Sequence, residues 1–374
     1  MTDARVTVPG TPSPTATPGS RQVPAYTVTR GGRTALAARV GFLALVGLLV
    51  SVPFNQTPNV ANKLVTLFVL VLLASMWNLL AGFGGMVSAG QQGFIGIGAY
   101  TLLFLAQQGM NPYLAVPLAA LVAGALSLPM SLLAFRLRGG YFAIGTWVMA
   151  EVLRELVVRV DSLGAGTGAS LPGLSSYAPA QRQANTYWVA LAGTAIVLVC
   201  LYLLLRSSTG AALTAIRDNE VAAASSGVRV VLAKRLLFAL AATGCGLAGA
   251  LTLANSLRVQ PDSVFSIQWT AFMIFCAVIG GIGTLEGPVL GAVVFFLLED
   301  QFADSGTLYL VGLGALAIVI AAFLPAGLWG EAQKRLGLTL FPVGHRLVLR
   351  DASPPADALS TSSVGSEPHG RGRA

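Results

Sequence analysis

Residues 216–235, with the sequence IRDNEVAAASSGVRVVLAKR, form a short polar interruption between two strongly apolar runs. Asp218 or Asn219 can cap a helix N-terminus by accepting hydrogen bonds from amide groups that lack an intrahelical partner. The helix dipole favours Glu220 at that end, and Gly227 supplies a stop after a run of small residues. The stretch predicts a helix of about two turns, too short to be stable in water alone. It is either a surface that a partner protein holds and moves, or a plain connector between helices.

The composition of the whole chain places this interruption in a membrane protein. Of the 374 residues, 55% are hydrophobic and 10% are charged, whereas soluble proteins carry about 25% charged residues. The mean hydropathy is +0.73, so the chain cannot cover a folded surface with polar groups in water. The fold class that we predict is an all-α integral membrane protein.

Ten apolar runs approach the roughly 20 residues that cross a bilayer. They lie near residues 36–54, 62–81, 85–107, 113–135, 141–160, 186–205, 236–257, 267–284, 287–302 and 307–325. The run after Gly82 contains polar residues and several glycines, and the run from Gly287 is short for a full crossing. We therefore expect about 8–10 transmembrane helices, with broken or short glycine-rich helices among them.

Polar segments flank the apolar region. Residues 1–34 are rich in Pro, Thr, Gly and Ser and cannot bury enough apolar area to offset the entropy of ordering, so they are predicted to be disordered. Residues 331–374 are predicted to be a cytoplasmic, mostly disordered C-terminal tail. Between them, residues 35–330 are expected to form the transmembrane domain, with a cytoplasmic loop at 206–235.

The positions of the basic residues predict the orientation. With the N-terminus inside, the cytoplasmic segments carry most of them: Arg30, Arg33, Arg39, Arg136, Arg138, Arg206, Arg217, Arg229, Lys234, Arg235, Lys334 and Arg335. This asymmetry fits the positive-inside rule with an even number of spans. We expect a multi-pass protein of the cell (inner) membrane with both termini in the cytoplasm. The net charge of +8 is dispersed among apolar spans, and we predict no nucleic-acid partner.

The sequence lacks the motifs of nucleotide-binding proteins and of common enzymes. Its three lysines, Lys63, Lys234 and Lys334, do not follow glycine, so the phosphate-binding pattern GxxxxGK[ST] is absent. The HExxH and GxSxG patterns are also absent. The three cysteines fall inside apolar runs and are interpreted as small core residues. We therefore predict no catalytic residues, no metal ligands and no cofactor bound by this chain.

A charged group, Glu151, Arg154, Glu155 and Arg159, lies within the run at 141–160. On a helix, Glu151 with Arg154 and Glu155 with Arg159 are neighbours at i+3 and i+4. With a rise of ~1.5 Å per residue, Glu151 is ~15 Å from the start of that run, near the middle of the bilayer. Charges at this depth are costly unless they are paired or hydrated. Glu151 and Arg154 are candidates for a translocation pathway, and a structural ion-pair ladder between packed helices is an equal alternative.

Two glycine clusters lie in separate halves of the chain: Gly82, Gly84, Gly85, Gly90, Gly93, Gly96 and Gly98, then Gly280, Gly281, Gly283, Gly287 and Gly291. Glycine allows close packing of backbones in lipid and also permits helix breaks. The clusters mark either broken helices facing a central route or tight packing alone. Gln91 and Gln92 are candidate pathway residues, and they can equally bond a neighbouring helix.

The segment GAALTAIRDNEVAAASSGV (210–228) resembles the cytoplasmic coupling loop of ABC-importer permeases, specifically those of the branched-chain amino acid permease family. Three further stretches agree with that family in order and spacing: WNLLAGFGGMVSAGQQGFIGIGAY (77–100), FRLRGGYFAIGTWVMAEVLREL (135–156) and GGIGTLEGPVLGA (280–292). The agreement covers roughly residues 62–330. Each motif alone is weak, and four in the right order are specific.

The resemblance implies a permease subunit that imports branched-chain amino acids or related small solutes. It implies a second, different permease subunit, two ATP-binding subunits that consume the ATP, and an external substrate-binding protein. The residues implied in ATPase coupling are Arg217, Asp218, Asn219, Glu220, Ala222, Ala223 and Gly227. The usual importer signature contains Glu-Ala-Ala, whereas here Val221 takes the glutamate position and Glu220 lies one residue early. A urea or amide permease of the same family and an ion-coupled secondary transporter are the alternatives.

Overall fold

The computed structural model describes residues 26–29, 33–55, 57–174, 177–302, 307–324, 326–336 and 346–349. Helices dominate these residues. The α-helices are α1 (Arg33–Val50), α2 (Val52–Asn55), α3 (Pro58–Asn78), α4 (Gln91–Gln107), α5 (Pro112–Ala134), α6 (Gly140–Val158), α7 (Pro179–Arg206), α8 (Ser208–Asp218), α9 (Glu220–Ser225), α10 (Val230–Ser256), α11 (Pro261–Val264), α12 (Ile267–Gly280), α13 (Gly287–Phe302), α14 (Thr307–Phe323) and α15 (Gly327–Leu336). A π-helix at Leu79–Phe83 continues α3, and a 3₁₀ turn covers Asp161–Leu163.

Four short strands form two antiparallel pairs. Strand β1 (Tyr26–Thr29) pairs with β4 (Arg346–Leu349), and β2 (Ala169–Ser170) pairs with β3 (Arg258–Val259). The first pair belongs to a unit made from the two chain ends, and the second to the helical unit Arg33–Val343. Most of the residues in the two predicted disordered tails lie outside the described residues, so that prediction stays a prediction.

Each of the ten predicted spans coincides with a helix. Among the described residues, six stretches are long and apolar enough to cross a membrane: Asn59–Phe83, Pro112–Ala134, Pro179–Arg206, Val230–Ser256, Pro261–Gly280 and Gly314–Arg335. Of the others, α4 and α13 have 17 and 16 residues, and the 19 residues of α6 include three charged side chains. The prediction of an all-α integral membrane protein with short or broken glycine-rich helices is confirmed.

The first helix break follows the π-helix and spans residues 84–90. Its backbone groups are bonded within the protein: the Met86 N–H donates to the Leu80 carbonyl (2.9 Å). The Trp77 indole N–H donates to the Ser88 carbonyl (3.1 Å). Such partners are required because lipid supplies none to an irregular backbone.

The core is built around α10, which packs most extensively against α5 and α4. These helices approach closely because glycines face each other: a Cβ added at Gly98 would lie 2.6 Å from the Cα of Gly246. Phe94 and Phe238 fill the adjacent space, with ring centroids 5.5 Å apart in an edge-to-face arrangement. Small residues at helix contacts are the usual means of association in lipid, where apolar area gives little drive.

The variant Gly98→Ala tests this packing. The added methyl group meets the Gly246 backbone, and overpacking of this kind costs about 1–3 kcal/mol. We expect a clearly lower midpoint of thermal unfolding in detergent. Gly312→Ala is the matched control, because Gly312 is also inside a helix and nothing lies within 4 Å of its added Cβ. A Gly98→Ala protein as stable as the Gly312→Ala protein would contradict the close contact.

Candidate functional site

Two short helices connect α7 to α10 at the predicted cytoplasmic loop. Ser207 caps α8 by accepting the Thr209 N–H (3.2 Å). Asn219 separates α8 from α9, and its side-chain oxygen accepts the Ala222 N–H (3.0 Å). Of the two predicted caps, Asn219 is therefore the one that acts. The sequence predicted one short helix here, and the 11-residue α8 before it was not foreseen.

Gly227 ends this pair of helices, as predicted. Its φ of +85° lies in the left-handed region, which favours glycine. Its N–H donates to the Ala224 carbonyl (3.0 Å), and the following Val228 N–H donates to the Ala223 carbonyl (3.1 Å). These bonds satisfy carbonyls at the helix C-terminus. No atom lies within 4 Å of an added Cβ, so the turn faces open space.

The predicted coupling residues lie on α8, on α9 and in the turn that follows. All are exposed except Ala223, which is buried against the protein. Val221, at the position of the usual glutamate, is 76% exposed. Beside them is a groove of about 410 Å³ that includes Val231, Leu232 and Arg235. An exposed apolar patch with a polar rim is typical of a protein-binding surface.

An ion pair attaches α9 to α10. Lys234 Nζ lies 2.6 Å from Glu220 Oε2. The two residues are 14 positions apart, across a turn, and no helical periodicity links them. The sequence therefore could not predict this ion pair, and it identified Glu220 only as a residue that the helix dipole favours.

Arg217 links α8 to the broken end of α3. Its Nη1 donates to the Gly82 carbonyl (3.0 Å), while its Nε and Nη2 both donate to Asp218 Oδ1 (3.0 Å each). The Arg217 side chain is 39% exposed. A residue chosen from the sequence as part of a partner-binding surface thus also bonds the membrane-embedded region.

The two glycine clusters meet next to Arg217. Asn78 bridges them, because its Nδ2 donates to the Thr284 carbonyl and its Oδ1 accepts the Gly283 N–H, both at 2.8 Å. A Cβ added at Gly82 would lie 2.6 Å from the Gly283 nitrogen, so the backbones are in direct contact. We call this set, Asn78, Gly82–Gly85 and Gly281–Thr284, the glycine junction.

The charged residues of α6 form a network around Arg154. Its guanidinium donates to Glu151 (2.9 Å), to Glu155 (2.7 Å) and to Asp262 on α11 (2.8 Å). The sequence placed Glu155 beside Arg159, but Glu155 pairs with Arg154 instead. Since Asp262 belongs to another helix, the network has the form of an ion-pair ladder between packed elements.

Helix α6 also exposes charged side chains on the side that faces away from the rest of the protein. A groove of about 420 Å³ is lined there by residues that include Trp147, Glu151, Glu155 and Arg159. The side chains of Glu151 and Glu155 are 41% and 52% exposed. Charges near the middle of a span are costly against lipid, so this side of α6 requires water or protein beside it. That requirement suits the pathway interpretation, which stays a prediction.

Gln91 and Gln92 are fully buried at the start of α4. Gln91 Oε1 accepts the Cys245 thiol hydrogen (3.4 Å), and Gln92 Oε1 accepts the Thr270 hydroxyl (2.6 Å). Both amides therefore bond neighbouring helices, which favours the helix-contact interpretation. Within the described residues, Gln92 Nε2 has no hydrogen-bond partner. A substrate-binding role for this pair remains a prediction.

Apolar spans with internal breaks, charged groups on a spanning helix and an exposed capped helix pair are the features of a multi-pass membrane transport protein. The chain matches the family described as "Branched-chain amino acid transport system / permease component" over residues 59–322 and belongs to that family. The family prediction is confirmed.

Curated relatives agree with this assignment. The chain is 28% identical over 323 residues to "High-affinity branched-chain amino acid transport system permease protein LivM" of Salmonella typhimurium, covering 79% of this chain and 76% of the relative. The protein of the same name from Escherichia coli is 27% identical with the same coverage. A "Probable branched-chain amino acid transport permease protein LivM" of Methanocaldococcus jannaschii is 21% identical over 50% of this chain and 54% of its own length. No solved structure matched the chain.

The variant Arg154→Gln tests the ion-pair network. It leaves three carboxylates without their shared cation, and exposed pairs contribute up to about 1 kcal/mol each. We expect a loss of about 1–3 kcal/mol in stability, measured as a lower unfolding midpoint in detergent. Arg159→Gln is the control, because no ion pair involves Arg159 among the described residues.

Uptake by folded Glu151→Gln/Arg154→Gln protein separates the two interpretations of these residues. Normal uptake and selectivity, corrected for the amount of protein, would exclude a pathway role and leave the structural ladder.

Proposed function

We propose that this chain is the permease subunit of an ATP-binding cassette importer for branched-chain amino acids or related small solutes. The observation that carries the proposal is the exposed pair α8 and α9, capped by Asn219 and ended by Gly227, in a chain of this permease family. Helix α9 has six residues, too few for stability without contacts. A cytoplasmic partner surface supplies such contacts.

The partners in this proposal are two ATP-binding subunits, a second permease subunit in a heterodimer, and an external substrate-binding protein. The chain has no GxxxxGK[ST] pattern, so another chain must bind the ATP. The named relatives are permease components of a high-affinity branched-chain amino acid transport system. Receptor-dependent importers take their specificity largely from the receptor, and urea or amides are therefore an alternative cargo.

Contacts between distant segments support the predicted series of membrane crossings, in which consecutive loops lie on alternate sides. Crossing the membrane at each predicted span puts Gly82, Arg217 and Gly283 on the cytoplasmic side, and these residues are neighbours. It puts β2 and β3 outside, and these strands are paired.

Closure of the ATP-binding subunits would push on residues 216–228. Two contacts would pass this displacement to the membrane-embedded helices. The Glu220–Lys234 ion pair leads to α10, and the Arg217 hydrogen bond leads to the end of α3. The spans would then alternate between an outward-open and an inward-open packing. This requires two discrete arrangements that a local contact biases.

The variant Gly227→Glu tests the docking surface. A bulky anion in the turn obstructs a partner, so we expect normal membrane insertion, loss of ATP-binding subunits from the purified complex, and uptake reduced at least tenfold. Gly109→Glu is a matched control: Gly109 also has φ +85°, with nothing within 4 Å of its added Cβ, and lies at the opposite membrane face. Normal uptake by Gly227→Glu would refute the docking role.

Reconstitution distinguishes this function from that of an ion-coupled secondary transporter. The purified chain alone in vesicles is expected to give no uphill transport, with or without a proton gradient. Adding the second permease, the ATP-binding subunits, ATP and the receptor should restore it. Uphill transport by the chain alone, abolished by collapse of the proton gradient, would establish the secondary transporter instead.

A further inference from the structure

We propose that Arg217 is a positioning residue that transmits movement of α8 and α9 to the glycine junction. The inference rests on the proposed function and adds to it one specific route for the mechanical signal. The route begins at the hydrogen bond between Arg217 Nη1 and the Gly82 carbonyl, 135 positions away in sequence.

Asp218 fixes the direction of the guanidinium. It accepts two hydrogen bonds, from Nε and Nη2, on one carboxylate oxygen. Because the guanidinium is planar and rigid, holding this edge aims Nη1 at Gly82. The last turn of α8 and the π-helix therefore move together rather than slide past each other.

The glycine junction is closely packed at Gly82. The Gly82 backbone lies directly against Gly283, and Asn78 is bonded to both Gly283 and Thr284. Asn78 is 2% exposed, so solvent does not compete for these bonds. Close-packed contacts of this kind transmit strain, and movement of Gly82 must also move the connection between α12 and α13.

The junction continues into the helices that carry the candidate pathway residues. Residues 86–90 follow it directly, and the Ala89 N–H donates to Thr146 Oγ1 on α6 (3.2 Å). Gly90 packs against the Thr146 carbonyl, and Gln91 then begins α4. The other link from these helices, Glu220–Lys234, leads to α10 and not to the glycine junction.

Hydrogen–deuterium exchange of the purified chain in detergent tests the structural part. In Arg217→Gln, we expect exchange in peptides covering residues 84–90 and 281–286 to accelerate at least tenfold, because the junction loses its attachment to α8. Arg229→Gln is the control and should change exchange less than twofold, since it removes an arginine from the same loop whose side chain has no hydrogen bond or ion pair among the described residues, and it leaves the Arg217 bonds in place. Unchanged exchange in Arg217→Gln would overturn the proposal.

Transport measurements on the assembled complex test the functional part. Arg217→Gln should keep its ATP-binding subunits, and solute moved per ATP hydrolysed should fall at least fivefold. Arg217→Lys should recover part of the loss. Asn78→Leu, a buried change away from the docking surface, should give the same uncoupling. Loss of the ATP-binding subunits from Arg217→Gln would make Arg217 a docking residue instead, and normal coupling would also overturn the proposal.

The proposed function and the proposed route through Arg217 can be refuted separately. If ATP-binding subunits do not bind the wild-type chain, the proposed function fails, and the exchange experiment still decides whether Arg217 holds the junction. If they bind and Gly227→Glu removes them while Arg217→Gln stays coupled, the function stands and this route is wrong.

Discussion

The structure depends on one constraint: every backbone polar group inside lipid needs a partner from the protein itself. Unbroken helices meet it automatically, but this chain leaves the helical conformation at residues 84–90 and 281–286, at the ends of spans. Side chains supply hydrogen-bond partners to the backbone at both breaks. Trp77 serves the first break, Thr284 caps α13 through the Gly287 N–H, and Asn78 joins the two breaks. Because these bonds hold each break in one position, the break can serve as a pivot between the helices on either side of it.

The interruptions and the cytoplasmic helices are parts of one arrangement. Helices α8 and α9 are short and held by a few specific bonds, whereas α4, α5 and α10 pack closely through glycine contacts. In the proposed mechanism, a force applied at these helices reaches the glycine junction through Arg217. The exposed charges on α6 lie on a helix that contacts the same broken segment through Thr146. In the proposed mechanism, the chain thus connects the docking surface with the exposed charges on α6.

Local signals predicted much of this architecture. Apolar length placed each predicted span on a helix, and cap and stop chemistry narrowed the cap to Asp218 or Asn219 and identified Gly227 as the stop. The tertiary contacts were not predictable in this way: Arg154 meets Asp262 across 108 positions and Arg217 meets Gly82 across 135. Such pairs depend on how helices pack, and a sequence pattern carries no distance between spans. The i+4 spacing even suggested the wrong partner for Glu155, because a cation shared with a second helix was nearer.

The Asn78 bridge also has a consequence for biosynthesis. Its partner Thr284 lies 206 positions downstream, and at ~5–20 residues per second a ribosome needs about 10–40 s to make that segment. During this interval a polar amide at the end of a newly inserted span has none of its final contacts. The nascent chain must keep Asn78 near the membrane surface, or beside the insertion machinery, until the later helices are inserted.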